Sequence, residues 1–384
     1  MCLAWRKICA RNVICRIITE RLKVAIDRIS IFGVAWHTGH QHSLLRLAKK
    51  YPVKFHFLEN NNRKWTRYSH QPMPSDVYTD EEFEWVQYYE PNKYDLAILH
   101  LDQQCVDPQI GKSRLYRELN EIIQDVPKIV INHGTPMWDE RYEEQMVING
   151  GIVHDSKGKI HHLDGMKKMI GDNFMVVNSY EAVNRWGWGY PIIHGIDKND
   201  WQDLPKEPRV CISLSPGGLD KYYNRTLLTA IKGAVKEKSG HNLTHFNVNF
   251  EPRDWADYKQ FFSSSLIHIY PFKDSPMPRA RTEAMLSGCC VLTSRYHNAD
   301  EFIEQGVNGF IVPDNPLSYA ETIHQLLNNN YREAVEIGQN AKQTAEKLFD
   351  IDRYIDQWHE LITMIVDGKK PIWKKDKIWV AYED

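Results

Sequence analysis

Apolar, β-branched runs alternate with helical segments along this chain. They do so twice, with a polar interruption between the two series. ISIFGVAW, VKFHFLE, DLAILHL, KIVINHG, FMVVNS and PIIHGID read as strands, with SLLRLAKKY and the stretch from Leu115 to Ile123 as helices among them. KNDWQDLPKEPR is polar and proline-bearing, the signature of a linker. Beyond it RVCISLS, FNVNF, LIHIYPF, CCVLTS and NGFIVP read as strands, with NRTLLTAIKGAVKE, DWADYKQFFSS and TEAMLSG as helices. Strands joined by helices form parallel sheets covered on both faces. The pattern therefore predicts an α/β chain of two doubly wound domains. The expected divisions are a basic segment over 1–27, a first domain over 28–200, a second over 201–350, and a terminal helix with a basic tail over 351–384.

The 384 residues leave room for two ordinary domains, and a formal net charge of -2 gives no global field that would draw in nucleic acid. The seven cysteines include no CxxC pair, which reads as reduced thiols in a cytoplasmic protein, with Cys289 and Cys290 as small core residues. The first 28 residues hold seven basic side chains, with Ile14, Ile17, Ile18 and Leu22 at helical spacing between them. Two expectations follow: a basic amphipathic helix lying on an anionic membrane, at the inner face, or a plain solvated extension. No GxGxxG follows the first strand, which argues against a dehydrogenase.

Ligands of open parallel sheets bind beyond the carboxyl ends of the strands. That rule selects the loops HTGHQ, NHGTP, SPGGLDK, EPRD and KDSPMPRAR. The last of these leads into a helix whose free N–H groups, with Arg279 and Arg281 beside them, suit an anion such as phosphate. Glu283, further into that helix, could accept hydrogen bonds from ribose hydroxyls; the plainer reading is a glutamate that complements the helix dipole. His37, His40 and His42 have no matching carboxylate cluster, so no essential metal is expected. The DxD of Asp350-Ile351-Asp352 opens a helix, where an N-cap is the better account than a metal motif.

The segment SPMPRARTEAMLSGCCVLTSRYHNADEFIEQGVNGFIVP resembles the donor site of retaining GT-B glycosyltransferases, glycosyltransferase family 4 above all. Glu283-Ala284-Met285, Gly288, Glu301 and Asn308-Gly309 carry the likeness, supported by Val177–Ser179 and His194–Asp197 upstream. The resemblance implies a GT-B fold: two Rossmann-like domains facing a central cleft, with the last helix crossing back to the first. It implies transfer of a sugar, hexose-like, from a UDP- or GDP-sugar to an acceptor hydroxyl on a glycan, lipid or other molecule, with retention and without metal. His133 matches a histidine facing the donor sugar, and Gly39 the loop approaching donor and acceptor. The family's first glutamate falls at Ser275, with Asp274 adjacent, and its glycine turn is replaced by Pro276-Met277-Pro278. Lys221 or Arg225, following the turn that holds Gly217, stand in for its usual cations. Two alternatives stay open: a GT-B-type nucleotide-sugar epimerase, and a non-catalytic binding protein of the same fold.

Overall fold

A computed structural model describes residues 28–59, 72–136, 156–214, 225–247, 255–271, 277–295 and 299–373. The first domain holds seven strands: β1 (Ile29–Val34), β2 (Val53–Leu58), β3 (Phe83–Val86), β4 (Leu96–Leu101), β5 (Lys128–Asn132), β6 (Phe174–Val177) and β7 (Tyr190–Pro191). They form one sheet in the order β3-β2-β1-β4-β5-β6-β7, and the pairings are parallel. The second domain holds β8 (Glu207–Leu214), β9 (Leu243–Asn247), β10 (Ser265–Tyr270), β11 (Cys290–Thr293) and β12 (Phe310–Ile311), ordered β12-β11-β10-β8-β9 and again parallel. This is the pair of Rossmann-like domains, facing a central cleft, that the GT-B expectation requires.

Alternate strand residues face opposite layers, so each sheet separates two cores. In β1, Ile31 points into one cluster and Phe32 into another. In β8, Cys211 and Ile212 divide in the same way. Cys105, Cys211, Cys289 and Cys290 are buried free thiols. The strand order reverses between β1 and β4 in the first sheet, and between β8 and β10 in the second. A crevice opens at such a reversal because the two flanking connections leave in opposite directions.

The helix Ile351–Val366 begins on an N-cap at Asp350, whose carboxylate accepts from the Arg353 N–H at 2.7 Å. The DxD is thus a helix start. The apolar face of this helix, with Tyr354, Trp358 and Ile362, completes the core of the first domain rather than the second. Burying each such large apolar side chain contributes about 1.5–3 kcal/mol. Gly195 makes the crossing possible, since a Cβ there would lie 2.4 Å from the Cβ of Tyr354 and 2.9 Å from the Asp350 carbonyl oxygen.

Several sequence expectations shift. HTGHQ, read as a turn, is already helical: the helix spans Thr38–Leu45. Its first turn carries no apolar residue: Gly39 lies against Arg279 of the second domain, and His40 and Gln41 meet polar groups of the first, so the helical period becomes visible only at Leu44. PIIHGID is strand only at Pro191, the end of β7, and then carries a single isolated bridge, Ile196 to Asp350. FNVNF begins too late, since β9 starts at Leu243, and its last three residues lie outside the described ones. β3 (FEWV) is not among the strands expected from the sequence. The basic leader and most of the basic tail lie outside the described residues. No helix among the described residues is long and apolar enough to cross a membrane.

Candidate active site between the two domains

The helix Arg279–Leu286 follows β10 at the switch point of the second sheet. Pro278 is its N-cap residue, and no acidic side chain occupies the first turn, so the positive end of the helix dipole is not neutralised locally. Arg279 leaves this helix toward the first domain. Its Nη1 donates to Ser43 Oγ at 3.1 Å, across the cleft. Gly39 leaves room for this contact: a Cβ there would lie 2.8 Å from the Arg279 Nε. His194 Nε2 meets Thr282 Oγ1 at 3.0 Å, so a second polar link joins the first domain to the same helix.

Glu283 is buried, and its carboxylate is held from two sides. Arg279 Nε donates to Oε1 at 2.9 Å, and the Tyr258 hydroxyl donates to Oε2 at 2.6 Å. Burial and the Glu283 charge raise the Tyr258 pKa well above its ordinary value, so the phenol stays a donor. A carboxylate has about four lone-pair sites, so two bonds leave capacity for further donors. Arg281 differs from Arg279. It is 1% exposed, packed over the Phe302 ring and against Met277, and burial lowers its pKa to about 10. Arg279 reaches the facing domain through Ser43, whereas Arg281 feels that domain through the charge of Glu181. Arg225 opens the helix Arg225–Ser239 on its exposed side. Lys221, Gly217, Asp274 and Ser275 lie outside the described residues.

On the first domain the switch point gathers aromatic and imidazole rings. His100 is on β4, and His133 directly follows β5. Trp36, just past β1, stacks on both at interplanar angles of 14° and 8°. His40 stands edge-on to His133, with ring centroids 5.0 Å apart, and its Nε2 lies 3.3 Å from the hydroxyl of Tyr354. Burial, with Arg279 and His37 nearby, lowers the His40 pKa to about 3. Burial and the neighbouring His40 and His37 hold His133 and His100 well below the ordinary range. All three rings are therefore neutral at physiological pH. Sequence reasoning selected His133 and weighed His40, but passed over His100, which looks like one more residue of the buried run LAILHL. The signal that could have found it is a polar ring inside an otherwise apolar central strand.

One ligand nitrogen from each of His40, His100 and His133 lies within 4.8 Å of the others, close enough to raise the question of a metal. The bonding argues against one. His100 Nδ1 and His133 Nε2 are 2.9 Å apart and share a proton, so both cannot offer lone pairs to one ion. No carboxylate among the described residues holds any of the three rings, although metal-bound imidazoles usually have such support.

Comparison with known proteins fits this geometry. Residues 234–344 match the family model described as glycosyl transferases group 1, a segment that contains Arg279 and Glu283. Spore coat protein SA of Bacillus subtilis is 36% identical over 80 residues; the match covers 20% of this chain and 21% of that protein. The chain thus spans about a fifth of the length of this curated relative. Among solved structures, Anabaena HepE in complex with UDP-glucose superposes with a TM-score of 0.60 at 15% identity, covering 87% of this chain and 99% of that one. Sucrose-phosphate synthase from Thermosynechococcus elongatus gives 0.61 at 14%, covering 89% and 100%. The pneumococcal O-GlcNAc transferase GtfA with UDP and GlcNAc gives 0.56 at 12%, covering 88% and 99%. At such identities the likeness establishes the fold. The chain is related to the glycosyl transferases group 1 through its second domain, and its two domains have the GT-B arrangement.

Proposed function

We propose that this chain transfers a sugar from a nucleoside-diphosphate donor to an acceptor hydroxyl, with retention at the anomeric carbon. The observation that carries the reading is the meeting of Arg279 and Glu283, from the family-matched segment, with Gly39 and Ser43 of the facing domain. A donor in the cleft would place its diphosphate at the start of the helix Arg279–Leu286 and its ribose near Glu283. The chemistry asked of the protein is electrostatic. Negative charge grows on the leaving diphosphate while the sugar becomes oxocarbenium-like, and positioned cations and helix N–H groups stabilise that charge. Arg279 is the cation we assign to this task, with Lys221 or Arg225, which follow β8 in sequence, completing it. His133 contributes a neutral ring at the sugar side. Asp274, Ser275 and Gly217 belong to the same donor-side loops in this reading, and Arg281 supports them from inside the domain. Solved relatives of the same fold hold UDP or UDP-glucose, which favours UDP-sugars as the first donors to try.

We further propose a salt-sensitive peripheral contact with anionic membranes through the basic leader and the tail that includes Lys369 and Lys370. Each lysine or arginine near such a surface contributes about 1 kcal/mol. Sedimentation with anionic and neutral vesicles tests this part: equal partitioning, or no loss on deleting residues 1–27, would refute it.

The transfer reading is tested by thermal shift against UDP, GDP and their hexose conjugates. A ligand that binds only the folded state raises the melting temperature, by about 2.7 kcal/mol of stabilisation at a hundredfold excess over its Kd. One nucleotide family should stand out, and its sugar conjugate should be turned over. No shift with any nucleotide, together with no donor turnover, would overturn the proposal.

A further inference from the structure

We infer that His100 and Gln41 set the tautomer of His133, so that its ring presents an Nδ1–H donor to whatever oxygen binds in the cleft. Neither Gln41 nor His100 belongs to the segment that matches the family model.

The argument starts from two groups with no choice of role. The Trp36 backbone N–H can only donate, and it meets the Gln41 Oε1 at 2.8 Å. The Val34 carbonyl can only accept, and it meets the Gln41 Nε2 at 2.5 Å. These two bonds fix the amide: a flip would set N–H against N–H and oxygen against oxygen. The amide is fully buried, so water cannot relieve such a flip. The same Gln41 Nε2 lies 3.3 Å from His100 Nε2. That imidazole nitrogen therefore faces a donor and must accept. A neutral imidazole carries one proton, so His100 keeps its proton on Nδ1. His100 Nδ1 faces His133 Nε2 at 2.9 Å, so His133 accepts there. Its own proton must then sit on Nδ1, which bonds to no described residue of the protein and belongs to a partly exposed ring.

The direction of every bond in this chain follows from the two backbone groups at its head. Trp36 stacks against both imidazoles and keeps them coplanar within 17° of each other, which holds the Nδ1-to-Nε2 bond in line. The arrangement makes His133 a hydrogen-bond donor to a ligand oxygen and denies it the role of general base at that atom. Gln41 and His100 are positioning residues, since neither reaches the cleft ligand in this account. This catalytic consequence rests on the proposed sugar transfer; the tautomer does not.

The experiment uses the full chain labelled with nitrogen-15 in its histidines. Long-range proton–nitrogen spectra near pH 7.5 distinguish protonated from bare ring nitrogens, and His133→Phe and His100→Phe assign the two rings by loss of signal. The expected result is a proton on Nδ1 of both His100 and His133. A proton on Nε2 of His133 in the unaltered protein overturns the inference, whether or not the chain transfers sugars. Gln41→Glu supplies the second arm. Its carboxylate only accepts, so His100 should move its proton to Nε2 and His133 should follow. Retention of the Nδ1–H tautomer of His133 in folded Gln41→Glu, or in folded His100→Phe, would show that the relay does not set it. Failure of donor turnover with the expected tautomers would instead count against the proposed function alone.

Discussion

Replacing Arg279 by methionine separates two roles that one side chain combines. The guanidinium donates to Glu283 Oε1 at 2.9 Å and to Ser43 Oγ at 3.1 Å. Its side chain is 22% exposed, while that of Glu283 is only 6% exposed. Removing one partner of a fully buried pair costs about 3–5 kcal/mol, because the remaining charge is left without compensation. Arg279 is partly solvated, and the Tyr258 hydroxyl still holds Glu283 at 2.6 Å, so the cost here should be about 1–3 kcal/mol. For a two-domain chain that corresponds to a drop of a few degrees in melting temperature. Glu283→Gln removes the charge but keeps the shape, and should cost about 1–2 kcal/mol by turning a charge-assisted bond into a neutral one. In the double variant the two losses should not add, with a coupling of about 1–3 kcal/mol between them. Thermal unfolding of the four proteins gives this cycle. Turnover tells the other half: Arg279→Met should lose on the order of a hundredfold or more, and the double variant should recover stability without recovering turnover. Additive stability losses would refute the pairing. Restored turnover in the double variant would refute the assignment of Arg279 to the leaving diphosphate.

Gly195→Ala should destabilise the chain by about 1–3 kcal/mol, measured by denaturant unfolding, because the added methyl meets the backbone of the last helix rather than a side chain that can move. Asp350→Ala should cost about 1 kcal/mol by the loss of a single cap, and should leave any turnover unchanged in the presence of manganese or chelator alike. His40, His42 and His268 each have a pKa lowered to about 3, mainly by burial. A depressed folded value means that the unfolded chain binds more protons below about pH 6.5, so stability should fall as pH drops from there toward 3. Unfolding midpoints that stay level across that window would count against these three rings being buried and neutral.

The two-sheet architecture was legible because strands buried on both faces leave near-continuous apolar runs, and LAILHL or CCVLTS need no context to be read. The same was true of the helix that holds Glu283, since its motif lies in one continuous stretch. What escaped was set by contacts remote in sequence. The first turn of Thr38–Leu45 has no apolar face of its own because Gly39 abuts Arg279 while His40 and Gln41 enter a polar relay. β3 joins the sheet only through β2 and follows a proline-containing stretch, so local pattern does not separate it from loop. The tautomer relay links positions 41, 100 and 133, and no spacing rule connects a helix turn, a strand and the residue after another strand. The two arginines of the donor segment look equivalent in sequence; burial and packing against Phe302 and Met277 distinguish Arg281 from Arg279.

The return of the last helix to the first core has a consequence for synthesis. Strands β1 to β7 leave the ribosome well before Tyr354, Trp358 and Ile362, which close the same apolar cluster. At about 5–20 residues per second, the interval amounts to roughly 8–33 s. During it the nascent first sheet presents an uncovered apolar face beside the partly made second domain. That face is where a trigger-factor-like holdase would bind, and it is the place where a stalled or truncated translation product would aggregate. Ribosome-bound chains arrested before residue 351 should therefore capture such a chaperone, and chains extended past Val366 should release it.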